Sequence, residues 1–296
     1  MKNSKTIFLL KASVFLIFIG RAWQHLFWDA PYRSFFWDEA LLQPVIEGIF
    51  NISWQEYVTS STTDKVIQNI IRTNGVLYTF AGLCALLIND KNKKWLRFPV
   101  ALGGISLVLL AILLAKEKFY HAAQFFEHSI QFGLPFMLLF IFSNRYQKEK
   151  FILTLKIIIA VTFFSHGLYA FGFYPVPGRF VDMVIQIFGC SEDIAIVFLY
   201  IAGILDFILA VLLFVPRVNI YALWYAVVWG TLTALARIVA NFYIDFPLES
   251  IHQNLHEVIY RLPHGFVPLL AIWLLKNSTS EKFMTSENTV LSKNLS

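Results

Sequence analysis

The chain reads as an all-α membrane protein, a polytopic transmembrane helical bundle of about eight spans. Three observations carry that reading. The sequence is 57% hydrophobic and only 15% charged, whereas soluble proteins are nearer one-quarter charged. Several apolar runs approach the ~20 residues that a helix needs to cross a bilayer. Thirty phenylalanines and a mean hydropathy of +0.62 point the same way. The net charge of +5 does not indicate nucleic acid, because the basic residues cluster at the ends of apolar segments, where topology signals lie. The two cysteines, Cys84 and Cys190, offer neither a disulfide framework nor metal-ligand spacing.

In chain order, spans are expected at 6–28, 65–89, 97–116, 119–143, 151–174, 193–215, 219–242 and 256–275. The first resembles a signal peptide at its start. It continues to Trp28 without a small-residue cleavage site, so it reads as a retained helix. Lys2, Lys5, Lys91, Lys93, Lys94, Arg97, Arg145, Lys148, Lys150, Arg217, Lys276 and Lys282 all fall on one side if both termini are cytoplasmic. Lys116 and Lys118 are the exceptions. A bacterial inner membrane is the expected setting, with the lipid bilayer as the main partner. The connection after span one carries Trp37, Trp54, Tyr57 and the apolar stretch Leu41 to Phe50, which suggests interfacial helices at 34–62. The loop 175–192 opens with a Pro-Val-Pro-Gly turn and continues as the amphipathic run Phe180 to Phe188. The polar tail 277–296 reads as disordered and cytoplasmic.

The two halves, 1–150 and 151–276, look alike. Span one ends in Arg21-Ala-Trp-Gln-His25 and then Pro31-Tyr-Arg33; span five ends in His166-Gly-Leu-Tyr169 and then Pro177-Gly-Arg179. Span four carries Glu127, Gln131 and Pro135, and span eight carries Glu257, Arg261 and Pro268. Duplication of a four-span unit would give a parallel repeat about an axis along the membrane normal.

All seven histidines fall in the outer part of the threaded bundle, and most intramembrane arginines and carboxylates join them. Ionisable groups in hydrocarbon are costly, so such a layer marks a site, a pathway or a buried network. Arg21, His25 and Asp29 are four apart and share a helix face; Asp29 would tie down the other two. His121, Gln124, Glu127, His128 and Gln131 form the densest polar stripe, on an arc of roughly 120°. Glu127 with a histidine suits proton relay or metal binding; an interhelical hydrogen-bond network is the structural alternative. His166 and Glu257 complete the candidate catalytic set with Glu127 and His128. The candidate binding set is Arg21, His25, Arg72, Arg237, Arg261, His264 and Asp206. Asp206 is the nearest available partner for Arg237, and Glu257 precedes Arg261 in the favourable ion-pair order. Pro263 would loosen the last helix and expose backbone carbonyls. Four arginines against fewer carboxylates favour an electron-rich ligand, a quinone head group or a small oxyanion.

These segments resemble the DoxX-like family of small four-span membrane proteins. The resemblance rests on His166-Gly-Leu-Tyr with Pro-Val-Pro-Gly after it, on Gly203-Ile-Leu-Asp206 before Leu-Leu-Phe, and on the Glu-then-Pro pattern of spans four and eight. It covers mainly 151–275, making 151–276 a DoxX-like half, and reaches 6–143 through the repeat. Eight spans and long outer loops depart from the family pattern. The resemblance implies membrane redox or sulfur chemistry, since some relatives are subunits of thiosulfate:quinone oxidoreductases, and it singles out Asp206 and His166.

Three functions follow. One is a component of a quinone-linked or sulfur-related membrane oxidoreductase, with a membrane or periplasmic redox partner. Its cofactor would be non-covalent, a quinone or a metal, because no flavin, dinucleotide or haem motif occurs. The second is a small-molecule or ion transporter, and the third a non-catalytic scaffold.

Overall fold

The computed structural model describes residues 4–89 and 94–276. The expected tail lies outside them, as do Lys2, Lys91, Lys93 and Lys282 of the topology argument. Among the described residues there are only helices: α1 (Ser4–Phe27), α2 (Arg33–Phe36), α3 (Glu39–Phe50), α4 (Trp54–Thr59), α5 (Ser61–Leu87), α6 (Arg97–Glu117), α7 (Ala122–Phe126), α8 (Ser129–Ile141), α9 (Lys148–Ala170), α10 (Gly178–Phe188), α11 (Glu192–Leu212), α12 (Asn219–Val239) and α13 (Pro247–Arg261). Past a one-residue turn at Leu262, α13 continues to Lys276. Seven of these helices are long and apolar enough to cross a membrane. The chain is an integral membrane protein.

The fourth expected span, 119–143, is present but broken into α7 and α8 at Glu127–His128. The cause is local. The His128 ring Nδ1 takes the Gln124 carbonyl at 2.8 Å, the group that the His128 amide would bond in a continuous helix. That amide turns instead to Phe125 O at 3.2 Å, a tighter turn. The last span repeats the device. His264 Nδ1 contacts Arg261 O at 2.8 Å, while the Gly265 amide bonds Leu262 O. Pro263 removes one donor from the same turn, as the sequence suggests. It begins earlier than expected, at Pro247 rather than 256, because Pro suits a first helical turn.

Four helices form each side of the bundle. The main contacts of α1 are with α5 and α13, and those of α9 are with α11 and α8; α6 packs on α5 and α8, and α12 on α13 and α11. Close approach at two glycines sets α13 in place. A Cβ on Gly20 would lie 2.8 Å from Tyr260 N, and one on Gly230 would lie 2.6 Å from His264 O. These contacts bring the polar residues of α13 between α1 and α12. After α1, the helices α3, α4 and α5 each start at a side-chain cap. Asp38 accepts from Leu41 N, Ser53 from Glu56 N and Ser60 from Thr63 N. Lys116 also binds Asp38 and ties α3 to the end of α6.

Candidate functional site

The sequence places Glu127 on a polar stripe, and the structure surrounds it with partners. Glu127 accepts a 2.8 Å bond from Gln124 Nε2. Its other oxygen lies 3.3 Å from His166 Nδ1, and the His128 ring is 3.6 Å away. The His166 ring in turn sits 5.8 Å, centroid to centroid, from that of His264. Residues from α8, α9 and the last span therefore converge. Arg21 joins from α1, donating to Gln131 Oε1 at 2.9 and 2.6 Å and to Gln24 at 2.8 Å. Its guanidinium lies 3.9 Å from the Tyr260 ring centroid, a desolvated cation–π contact.

Several pairings differ from those expected from spacing. Asp29 does not hold Arg21 or His25; it binds Arg33 at 2.8 Å, together with Asp64. α1 ends at Phe27, so Asp29 lies beyond the helix and off the face that carries Arg21 and His25. The partner of Arg237 is Glu257 at 3.3 Å, not Asp206, and Glu257 also binds Arg179 of α10 at 2.9 Å. Glu257 thus faces α12 and α10 rather than Arg261 on its own helix. Arg72 is exposed on α5 and stays outside the buried layer. His25 is fully buried but belongs to a separate cluster, edge-on to Tyr32 and Tyr78 at 5.6 and 5.0 Å. There Tyr78 OH bonds Ser106 Oγ at 2.9 Å, and Ser106 donates to Asn74 at 2.8 Å. Burial pushes the Tyr32 phenol up to about 12.

A cavity of about 410 Å³ opens between α9, α11, α12 and the last span, beneath α10. Its walls are mostly apolar, and Met183, Val184 and Phe188 of α10 form part of them. His166, Asp206, Arg237, Arg261 and His264 also line it. Four buried polar atoms on these residues have no hydrogen-bond partner among the described residues: Arg237 Nε, Arg261 Nε, His264 Nε2 and Asp206 Oδ1. Buried polar groups are normally satisfied, so these four atoms make the cavity the candidate binding site.

The decisive comparison concerns this same half of the chain. Residues 160–259 match the DoxX-like family. The resemblance read from 151–275 is borne out over that range. No curated protein and no solved structure matches the chain. The DoxX-like domain supplies His166, Arg179, Asp206, Arg237 and Glu257, while Arg261 and His264 follow it directly on the same span. Among the described residues, no group of three His, Cys, Asp or Glu comes together to hold a metal ion. Sequence reasoning did not single out Trp229, which interacts with Asp206 across the DoxX-like cavity, or Tyr260 beneath Arg21. Both are aromatics among many, and only packing distinguishes them. The role of Arg179 was signalled weakly by the amphipathic run that follows it.

Proposed function

We propose that the DoxX-like cavity binds the head group of a membrane-soluble quinone, as a component of a membrane oxidoreductase. The observation that carries this reading is the cavity itself, apolar in its walls and furnished with unbonded polar atoms on Arg237, Arg261, His264 and Asp206. Leu232, Leu235, Val239 and Phe188 line it and are also exposed, so the cavity reaches the lipid-facing surface. A ligand dissolved in the bilayer enters there without crossing water. Trp229, Phe180 and Phe198 supply flat faces for a ring.

The residues fit such a group. Arg237 and Arg261 donate to ring oxygens, as guanidinium groups do to carbonyls and oxyanions. Glu257 holds Arg237 in position and ties Arg179 of α10 over the cavity. Glu127, 3.3 Å from His166, gives the cavity a proton-carrying pair, and His128 stands behind it. Arg21 and His25 stiffen the bundle rather than touch the ligand. With both termini cytoplasmic, the site lies near the outer face of a bacterial inner membrane, where a periplasmic or membrane partner would exchange electrons. A bound quinone supplies the redox chemistry; the protein binds it, orients it and moves protons.

The test is solvent extraction of protein purified in mild detergent, with quinones quantified by chromatography and by back-titration in nanodiscs. About one quinone per chain is expected, with at least tenfold weaker binding in Arg261→Gln. Absence of quinone after purification, together with no saturable binding on titration, overturns the reading.

A further inference from the structure

We propose that His264 makes the cavity selective for the hydroxyl-bearing, reduced form of a ring ligand over the carbonyl form. The inference rests on the quinone reading of the same site and deepens it. It begins with a hydrogen-bond count. His264 Nδ1 lies 2.8 Å from Arg261 O. A backbone carbonyl only accepts, so Nδ1 carries the hydrogen. In the neutral ring that leaves Nε2 as an acceptor with a free lone pair. No donor among the described residues reaches it, although the residue is 4% exposed and lines the cavity.

The two unbonded arginine atoms do not distinguish the two forms of a ligand. Arg237 Nε and Arg261 Nε are donors, and both a carbonyl and a hydroxyl oxygen can accept from them. Asp206 Oδ1, 3% exposed by residue, favours a hydroxyl only while the carboxyl is charged, since a neutral carboxyl can equally donate to a carbonyl. The His264 acceptor is different: a ring carbonyl has no hydrogen to give it, and a ring hydroxyl does. An unsatisfied buried acceptor is costly, and a site that hydrogen-bonds a hydroxyl discriminates strongly against an analogue lacking it.

The test uses the full chain in lipid nanodiscs and a short-tailed 1,4-benzoquinone with its quinol, the quinol under anaerobic conditions. The wild-type protein is expected to bind the quinol about tenfold more tightly, equivalent to raising the two-electron potential of the bound pair by about 30 mV. His264→Asn keeps a donor for Arg261 O and removes the Nε2 acceptor, so the preference is expected to vanish. His264→Gln restores an acceptor near that position and is expected to recover most of it. Thermal melting of each variant reports whether it folds. Equal binding of both forms by wild type overturns the inference and leaves the quinone reading standing. So does a preference that survives in folded His264→Asn. Failure of both forms to bind removes the quinone reading, and this inference with it.

Discussion

In the first four-helix bundle, Tyr78 and Phe18 stack at 6.0 Å with no solvent exposure, and His25 wedges between Tyr78 and Tyr32. In the second, the space between α9, α11 and α12 stays open as the cavity. The two bundles otherwise share a packing plan: α1 on α5 corresponds to α9 on α11, and the α1–α13 contact to the α9–α8 contact. We read them as the two copies of a repeated unit, 1–150 and 151–276. In the first, tyrosines pack against the buried ring of His25. The other keeps His166, Arg237, Arg261 and His264 beside the open cavity proposed as the site. The difference teaches that a buried ionisable layer is not one thing: aromatics fill the space beside it in one bundle, and a cavity lies beside it in the other.

The comparison can be broken most sharply at Tyr78. Tyr78→Ala should cost about 3–5 kcal/mol, the range for deleting a large buried aromatic, and should lower the melting midpoint in detergent while leaving ligand affinity in the folded fraction unchanged. Glu257→Leu leaves Arg237 buried without its carboxylate. Breaking such a pair costs about 3–5 kcal/mol, and here ligand binding should weaken as well, because Arg237 loses its orientation. If Glu257→Leu melts like wild type, the pair is not a structural tie. Ala236→Phe projects into the cavity and is expected to abolish binding with a melting midpoint equal to or above that of wild type. A large drop in stability would mean that the second bundle is as tightly filled as the first.

Smaller effects sharpen the contrast outside the layer. Lys116 beside Asp38 holds that carboxyl below its ordinary value. Its contribution to stability is therefore present above about pH 4, the unfolded carboxylate range, and is lost as pH falls through the lower folded value. Wild type should lose slightly more melting midpoint than Asp38→Asn on acidification below pH ~4. Arg72→Ala, on the exposed side of α5, should change stability by less than about 0.5 kcal/mol and binding not at all.

Span positions, the all-α class and the polar layer were legible because hydrophobic length and residue spacing are local properties. Glu127, His128, His166, Arg237, Glu257, Arg261 and His264 stand out in the sequence, and the structure gathers them at the α7–α8 break and on α9, α12 and the last span. Partners were less legible. Spacing says that Glu257 and Arg261 share a helix, but the choice of Arg237 and Arg179 depends on how α10 and α12 pack against it. Asp206 was assigned to Arg237 on charge alone, while its neighbour is the indole of Trp229. Arg72 was grouped by depth, and depth does not tell which way a side chain faces. The cavity was invisible, since empty space is a property of the assembled helices.

The broken turns of α8 and the last span have a consequence for reading any histidine substitution here. At His128 and His264 a ring nitrogen does the work of a peptide amide, holding a carbonyl that the helix has released. Two rungs of the backbone ladder are thus encoded in side chains. Truncating either ring strands a carbonyl in hydrocarbon, at a cost of several kcal/mol, before any chemistry is lost. An alanine scan would therefore report both histidines as indispensable for a reason unrelated to protons, and only replacements that keep the rung can separate scaffold from reaction.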